Sequence, residues 1–286
     1  MKPQYQHDLM TSFMLFFDHH LLDKGEAYSN KTGKLYYFDD SRLPDSYTVF
    51  ASPYKQWVND SSVAGDTNPI IPTTISGDST SGRSDGFIFD FENGRIIHTG
   101  EGTVNTGQAF SGTFAVKDFN VYLTEETEED LILESNFKIN SRYGESQSGI
   151  KPYDRVVPAV FISAEEMSNQ GFAFGGEDIT TNQIKAVVFA ENSYQLDGIL
   201  SIFADTRHKS FQKIPFTGHP STEYGDVKGG SYNFDNLSTE FSTLSPYTIQ
   251  EVTTSKFSDK GQQALPGNVK VGFIDFDVIA TRFPRA

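Results

Sequence analysis

Apolar side chains near the start of the chain recur at three- and four-residue intervals, the spacing of one face of an α-helix. The pattern predicts a helix over residues 8–24, capped by Asp8 and ended by the Lys24-Gly25 pair. The apolar stripe of this helix comprises Leu9, Met10, Phe13, Met14, Phe17 and Leu21.

Three further apolar residues, Leu15, Phe16 and Leu22, make that stripe wider than one sheet face requires. We therefore expect the helix to have a second partner, for example another subunit. On this hypothesis the oligomer interface is formed by Leu9, Phe13, Phe16, Phe17 and Leu22.

Residues 26–84 show little periodicity and are predicted to be irregular, with one strand candidate at 47–50 (YTVF). Two prolines in NPIIPTT and the Gly/Ser/Thr tract after them predict an extended segment and a mobile loop.

Alternating apolar residues on both sides of Asn93-Gly94 predict a β-hairpin. This dipeptide is preferred in two-residue type I′ turns, and such a turn would place Glu92 opposite Arg95. The aromatic residues of the first strand would then share one buried face: Phe87, Phe89 and Phe91.

The apolar residues that follow fall into two sets of opposite phase, which predicts a β-bulge near Lys117-Asp118. The first set is Phe114 and Val116, and the second is Phe119, Val121 and Leu123. The acidic run 125–130 fits two alternatives, the cap of a short helix or a solvated turn.

Two nearly continuous apolar runs, VVPAVFIS and IKAVVFAE, are typical of strands covered on both faces. A helix is predicted next over residues 193–209, with Ser193 as its cap and His208 and Lys209 at the negative end of its dipole. Its core stripe is Leu196, Ile199, Leu200 and Phe203.

Residues 210–268 are rich in Gly, Ser, Thr, Asn and Pro, so we expect an extended arm that becomes ordered against a neighbour. A final strand is predicted over 269–281, with one face formed by Ile274, Phe276, Val278 and Ala280.

Together these elements predict an α+β fold in a single structural domain over 1–286. It comprises a β-rich mixed sheet flanked by the N-terminal helix and the helix near 193–209. A β-hairpin insertion at 85–136, a strand-strand-helix core at 155–209 and long loops complete it.

The formal net charge of −15 argues against wrapping nucleic acid, because that binding relies on Lys and Arg displacing counterions from phosphates. An acidic surface could instead line a channel through which DNA slides, or it could serve solubility alone. The chain has no cysteine, which excludes disulfides, thiol catalysis and cysteine-based zinc sites.

The first residues lack the basic and apolar regions of a signal peptide, and the apolar runs are far shorter than the roughly 20 residues of a membrane span. We expect a soluble protein made in a cytoplasm, without membrane contact.

Two pairs of acidic residues, Asp90 with Glu92 and Asp275 with Asp277, lie two apart on predicted strands. Their spacing of roughly 6–7 Å is close to that of glycosidase carboxylates. However, acids that alternate with a Phe or Ile face are more typical of a solvated sheet surface. We predict no catalytic residues and no enzyme activity.

His19 and His20 point about 100° apart on the predicted helix, so they do not readily share a metal, and His19 pairs better with Asp23 at i,i+4. Gly175-Gly176 lacks the Lys-Ser/Thr of a phosphate loop. We predict no metal site and no cofactor.

Four segments together resemble virion structural proteins of large tailed bacteriophages, of the neck, head-to-tail joining or tail-terminator type. They are residues 53–58 (PYKQWV), 85–97 (DGFIFDFENGRII), 114–134 (FAVKDFNVYLTEETEEDLILE) and 186–208 (AVVFAENSYQLDGILSIFADTRH).

The resemblance implies a ring of identical subunits in the virion, around the path of the DNA. Its partners would be copies of itself and neighbouring neck, tail or sheath proteins, and the DNA would pass without sequence-specific binding.

A different class also fits the composition: a glycan-binding or glycan-cleaving β-sandwich for host attachment. Sugars stack on exposed aromatic faces, and Trp57 with Tyr54 would be the platform. An exposed pair in a cleft favours this alternative, and a packed pair favours the structural protein.

Overall fold

The computed structural model describes residues 4–41, 43–72, 74–77, 80–83, 87–98, 106–107, 110–133, 138–139, 156–172, 175–220, 231–257 and 269–283. The helices are α1 (Tyr5–Gly25), α2 (Glu128–Leu133), α3 (Ser193–Ala204) and α4 (Phe234–Glu240), with one 3₁₀ turn at Phe216–Gly218.

The first strands along the chain are β1 (Tyr28–Phe38), β2 (Thr48–Ala51), β3 (Ile75–Gly77), β4 (Thr80–Arg83), β5 (Phe87–Asp90), β6 (Arg95–His98) and β7 (Phe110–Lys117). They form one antiparallel seven-stranded sheet in the order β4-β3-β7-β1-β2-β6-β5. Its core is aromatic, and in it Trp57 stacks on Phe114 with ring centroids 4.5 Å apart.

The later strands are β8 (Asn120–Leu123), β9 (Lys138–Ile139), β10 (Val156–Val157), β11 (Ala159–Gly171), β12 (Asp178–Ala190), β13 (Ser210–Phe211), β14 (Tyr247–Lys256) and β15 (Lys270–Arg282). Six of them form a second sheet in the order β13-β14-β15-β12-β11-β8, and β9 and β10 pair separately. The second sheet is antiparallel except where β8 runs parallel to β11.

The second sheet is covered on both faces where β11 and β12 are apolar, as the sequence predicts. Val160 and Val188 belong to the core beneath α1 and α3. Phe161 and Phe189 belong to the core on the other face, together with Leu131 of α2. The final strand is also confirmed: Ile274, Phe276, Val278 and Ala280 all lie in the core shared with α1 and α3. The α+β class therefore holds.

Helix α1 is confirmed, but it begins at Tyr5 and its cap is Gln4, not Asp8. It extends through Gly25, and the left-handed residue that follows it is Glu26. One face packs on the second sheet, where Phe17 stacks on Phe203 with centroids 3.9 Å apart. Another face meets the first sheet, since Leu22 packs with Val58, Val63 and Ala115. The width of the apolar stripe is thus explained by two partners inside the chain.

The five side chains assigned to an oligomer interface are accordingly buried, with exposed fractions from 0% to 7%, so in this fold they are core residues unavailable to a second subunit. They are Leu9, Phe13, Phe16, Phe17 and Leu22.

The hairpin exists, but the predicted two-residue turn and register are wrong. Asp90, not Glu92, pairs with Arg95, so the loop holds four residues, and only Gly94 has positive φ. The carbonyls of Phe91, Glu92 and Gly94 accept hydrogen bonds from backbone N–H groups of residues 52–57, which fixes the wider loop. The predicted burial of Phe87, Phe89 and Phe91 is confirmed.

The predicted bulge at Lys117-Asp118 is a change of sheet. β7 ends at Lys117 in the first sheet and β8 begins at Asn120 in the second. The two apolar phases face two different cores, because Phe114 lies in the first and Val121 in the second. Residues 85–136 are therefore not a separate insertion in their described part.

The acidic run continues into the first turn of the short helix α2, which decides between the two alternatives. The N–H of Asp130 donates to Thr127 Oγ1 at 3.2 Å, the geometry of a helix cap. Helix α3 is confirmed, but its cap is Asn192, whose side chain accepts from the Gln195 N–H, and it ends at Ala204.

Two predictions of irregular structure are wrong. Residues 26–84 contain the 11-residue strand β1, which pairs with β7 along eight positions. The predicted arm contains α4 and β14, and β14 lies inside the second sheet beside β15. Residues 221–230 and 258–268 of that arm lie outside the described residues.

Candidate functional site

The two acidic pairs do not form a convergent catalytic site. Asp90 is buried and its carboxylate accepts from Arg95 Nε at 2.6 Å and Asn93 Nδ2 at 2.9 Å, while Glu92 lies exposed in the loop. Asp275 belongs to a surface cluster around Lys185, whose Nζ lies 3.0 Å from Glu165 and 3.2 Å from Glu128. Burial raises the pKa of Asp275, and Lys185 opposes this effect.

His19 contacts Asp60 and not Asp23, because Nδ1 lies 2.8 Å from Asp60 Oδ2 while Asp23 pairs with Lys24. Ser62 Oγ lies 3.5 Å from the same Nδ1 atom. In a catalytic triad, the carboxylate binds one ring nitrogen of the histidine and the serine binds the other. Here Asp60 and Ser62 both approach Nδ1 of His19, so this group is not a catalytic triad. In the described ranges no cluster of three His, Asp or Glu could hold a metal ion.

The aromatic pair that would bind glycan is packed. Trp57 is 1% exposed and Tyr54 9% exposed, and Trp57 Nε1 donates to Ser52 Oγ at 3.1 Å. By the criterion of burial, this pair is a core element and offers no sugar platform.

The outstanding surface feature is an open edge on strand β11. β8 pairs with β11 only at residues 159–162, and the last such bond runs from the Thr124 N–H to the Ile162 carbonyl. Beyond it, no strand in the described part of the chain covers the outer edge of residues 163–171. We call this stretch the β11 half-edge. Exposed edges of this kind are templates for pairing with another strand.

The hydrogen bonds between β11 and β12 show which backbone groups of the β11 half-edge point outward. The Phe172 N–H donates to the Glu177 carbonyl across to β12. Because residues of an antiparallel ladder point alternately toward the partner and away from it, Met167, Asn169 and Gly171 point outward. A register shift between Ala164 and Met167 produces this phase.

Strand β14 has a matching feature on the opposite border of the second sheet. β13 covers β14 only at Tyr247 and Thr248, and residues 208–209 extend this cover to Ile249. Residues 250–256, the β14 half-edge, have no outer partner strand among the described residues. The Phe257 N–H donates inward to the Val271 carbonyl, so the outward residues are Val252, Thr254 and Lys256.

The two half-edges lie at opposite ends of the sheet. Met167 is level with Asn182 on β12, whereas Lys256 is level with Gly272 and, through it, with Val188. Thus β8 covers the first half of β11 on one border of the sheet, and β13 covers the first half of β14 on the opposite border. Because β11 and β14 run in opposite directions, these covered halves lie at opposite ends of the sheet. The open stretches are diagonal to each other.

An apolar groove of about 610 Å³ opens beside the β11 half-edge, where β8 leaves the sheet. Its apolar lining comes from α1, β8, β11 and the 3₁₀ turn: Met10, Leu123, Ile162, Ala164 and Phe216. Next to it, Met167 is 45% exposed and Phe172 60% exposed. Backbone groups and apolar surface are therefore available on the same border.

Sequence reasoning missed both half-edges. Two sequence features accompany the half-edges: the second half of β11 (AEEMSNQG) loses its apolar character, and β14 is rich in β-branched residues. Neither shows which border of a sheet remains uncovered, because that depends on where other strands stop.

No protein-family model matches this sequence, and no curated protein matches it. In the described ranges, no helix has the length and apolar character needed to cross a membrane.

Proposed function

We propose that the chain is a structural component of a tailed-phage virion. It forms a homo-oligomeric ring in the neck or tail-terminator region, where head and tail join around the DNA channel. Its partners are copies of itself and neighbouring neck, tail or sheath proteins, and it works as a building element rather than as an enzyme.

The observation that carries this proposal is the pair of half-edges on opposite borders of one sheet. A subunit with a different pairing surface on each side makes head-to-tail contacts, and such contacts close into a ring when the rotation allows it. The location in the virion rests on the resemblance of the four sequence segments.

The charge of the chain agrees with a channel role. A net charge of −15 repels the phosphate backbone, so DNA would pass the ring without being held by it.

The direct test is the position and copy number of the chain in an intact phage particle. Several copies in one ring at the head-to-tail junction are expected. A protein that is monomeric by native mass measurement at high concentration, and also alongside neighbouring virion proteins, would refute the proposal.

A variant pair tests whether assembly uses the strand border. Met167→Pro removes an outward N–H while leaving the ladder to β12 intact, so assembly should weaken without unfolding the subunit. Met167→Thr removes the same side chain but keeps the N–H, so it should still assemble. Native mass gives the oligomer, and circular dichroism checks the fold of both variants.

A further inference from the structure

Building on the proposed function, we infer that the β11 half-edge of one copy pairs antiparallel with the β14 half-edge of the next copy. The occupant of the open border is thus a second copy of this chain, held by backbone hydrogen bonds. This pairing makes one continuous sheet from many subunits.

The two half-edges have the same number of outward residues, and these residues project to the same face of the sheet. Each offers three outward residues, so Met167 can pair with Lys256 of the next copy, Asn169 with Thr254, and Gly171 with Val252. Directly opposed residues of an antiparallel ladder project to the same side. In both half-edges, the outward residues lie on the face that carries α1 and α3, since Asn169 contacts Thr180 there and Val252 packs on that core. The helices of all copies therefore stay on one side.

Charge disfavours the competing contact between two β11 half-edges. The β11 half-edge carries Glu165 and Glu166 and no basic residue, so two copies would bring four carboxylates together. In the proposed pairing, Lys256 of the next copy lies opposite Met167, on the face away from the Glu165–Lys185 ion pair, and its alkyl stem covers the exposed Met167. The side chains of Met167 and Lys256 are both accessible in the free subunit.

The diagonal arrangement sets the geometry of the assembly. Asn182 and Val188, which mark the two levels on β12, are six residues apart, so each copy is displaced along the strands by about 20 Å. The lateral repeat is four strands, β14, β15, β12 and β11, or about 19 Å. The strands would then tilt by about 45°, close to the tilt found in closed barrels.

The absence of cysteine makes a clean cross-linking test possible. Met167→Cys and Lys256→Cys chains are purified separately and then mixed under mild oxidation. Opposed residues of a hydrogen-bonded pair have Cα atoms about 5.5 Å apart, which suits a disulfide. A covalent dimer is expected only in the mixture. The double variant should give a ladder that ends at the number of subunits in the ring.

Ser168→Cys mixed with Lys256→Cys is the matched control, because Ser168 projects to the other face and should not cross-link. Self-cross-linking of Met167→Cys alone would overturn the inference in favour of a two-fold contact. An oligomer by native mass without the mixed cross-link would overturn the pairing but leave the proposed function standing. Monomers under every condition would refute the proposed function and the pairing with it.

Discussion

The backbone N–H of Phe234 donates to Asp60 Oδ1 at 3.1 Å, so a carboxylate distant in sequence holds the first residue of α4. Asp60 has no exposed surface, and it also binds His19 on α1 and Ser62. One side chain thereby joins α1, the 59–62 segment and α4.

Replacing Asp60 by Asn should lower the free energy of unfolding by about 2–4 kcal/mol at neutral pH, because buried charge-assisted hydrogen bonds are lost. Denaturant titration measures the loss. The exposed Asp197, which pairs with Lys256, gives the control Asp197→Asn, which should leave stability nearly unchanged. Equal losses in the two variants would contradict the role of Asp60.

Acid should reduce the difference between Asp60→Asn and the natural protein. Burial raises the pKa of Asp60, but hydrogen bonds from His19, Ser62 and the Phe234 N–H outweigh it and leave the pKa below its ordinary value of 3.8. The stabilisation is therefore complete above pH 3.8 and is lost as the pH falls through the lower value.

Arg95 should be among the most sensitive charged positions. It lies 2.6 Å from both Asp90 and Asp40, and all three side chains are at most 5% exposed. Arg95→Met leaves two buried carboxylates without their cation, so we expect a loss of about 3–5 kcal/mol in denaturant titration. Changing both aspartates to Asn in that variant should recover part of it. Lys24→Met, at an exposed ion pair, is the control and should keep the natural midpoint.

His20 should make the protein less stable as the pH falls from 6.5 to 4. Burial, followed by the charges of Lys209 and His19, lowers the pKa of His20 from 6.5 to about 4. In that interval the unfolded chain binds the proton and the folded chain does not, so stability falls by up to about 3 kcal/mol.

The variant His20→Phe keeps the stacking on Phe16 and should flatten this part of the stability profile. The exposed His208, changed to Asn, serves as the comparison and should retain the natural slope. An unchanged slope in His20→Phe would assign the pH dependence to other groups.

Two glycine-to-alanine substitutions should change the stability of the protein in opposite directions. Gly94 has φ of 61°, and a Cβ there would lie 1.9 Å from the Tyr54 carbonyl oxygen, so Gly94→Ala should cost about 3 kcal/mol or more. Gly198 lies on the exposed side of α3 with nothing near its Cβ position. Gly198→Ala should therefore stabilise the protein by up to about 1 kcal/mol. Thermal unfolding compares them, and a loss in both variants would contradict the explanation.

The sequence was informative where burial is periodic. α1, α3, β11, β12 and β15 carry apolar residues at helical spacing, in alternation or in continuous runs, and the structure contains all of them. β1 was missed because Leu35 is its only fully buried residue. Its strand conformation comes from pairing with β7, a partner far along the chain.

The turn at Asn93-Gly94 shows a tertiary contact overriding a local preference. The dipeptide favours a two-residue turn, but the Asp90 carboxylate takes Asn93 and Arg95 as partners, and residues 52–57 bind the loop carbonyls. The candidate assembly surface was invisible for a related reason. Its outward groups depend on register shifts in β11 and β14, and sequence periodicity does not report these.

The sheet topology also determines when the second sheet can fold during synthesis. Gly33 of β1 pairs with Gly112 of β7, and Ile184 of β12 pairs with Phe276 of β15. β15, which lies between β14 and β12, follows both of them along the chain. Until β15 has been synthesised, β12 and β14 lack the strand that joins them, so the second sheet can be completed only after residues 270–282 have left the ribosome. Such long-range pairing is slow, and a chain truncated before residue 270 should aggregate rather than accumulate as a folded fragment.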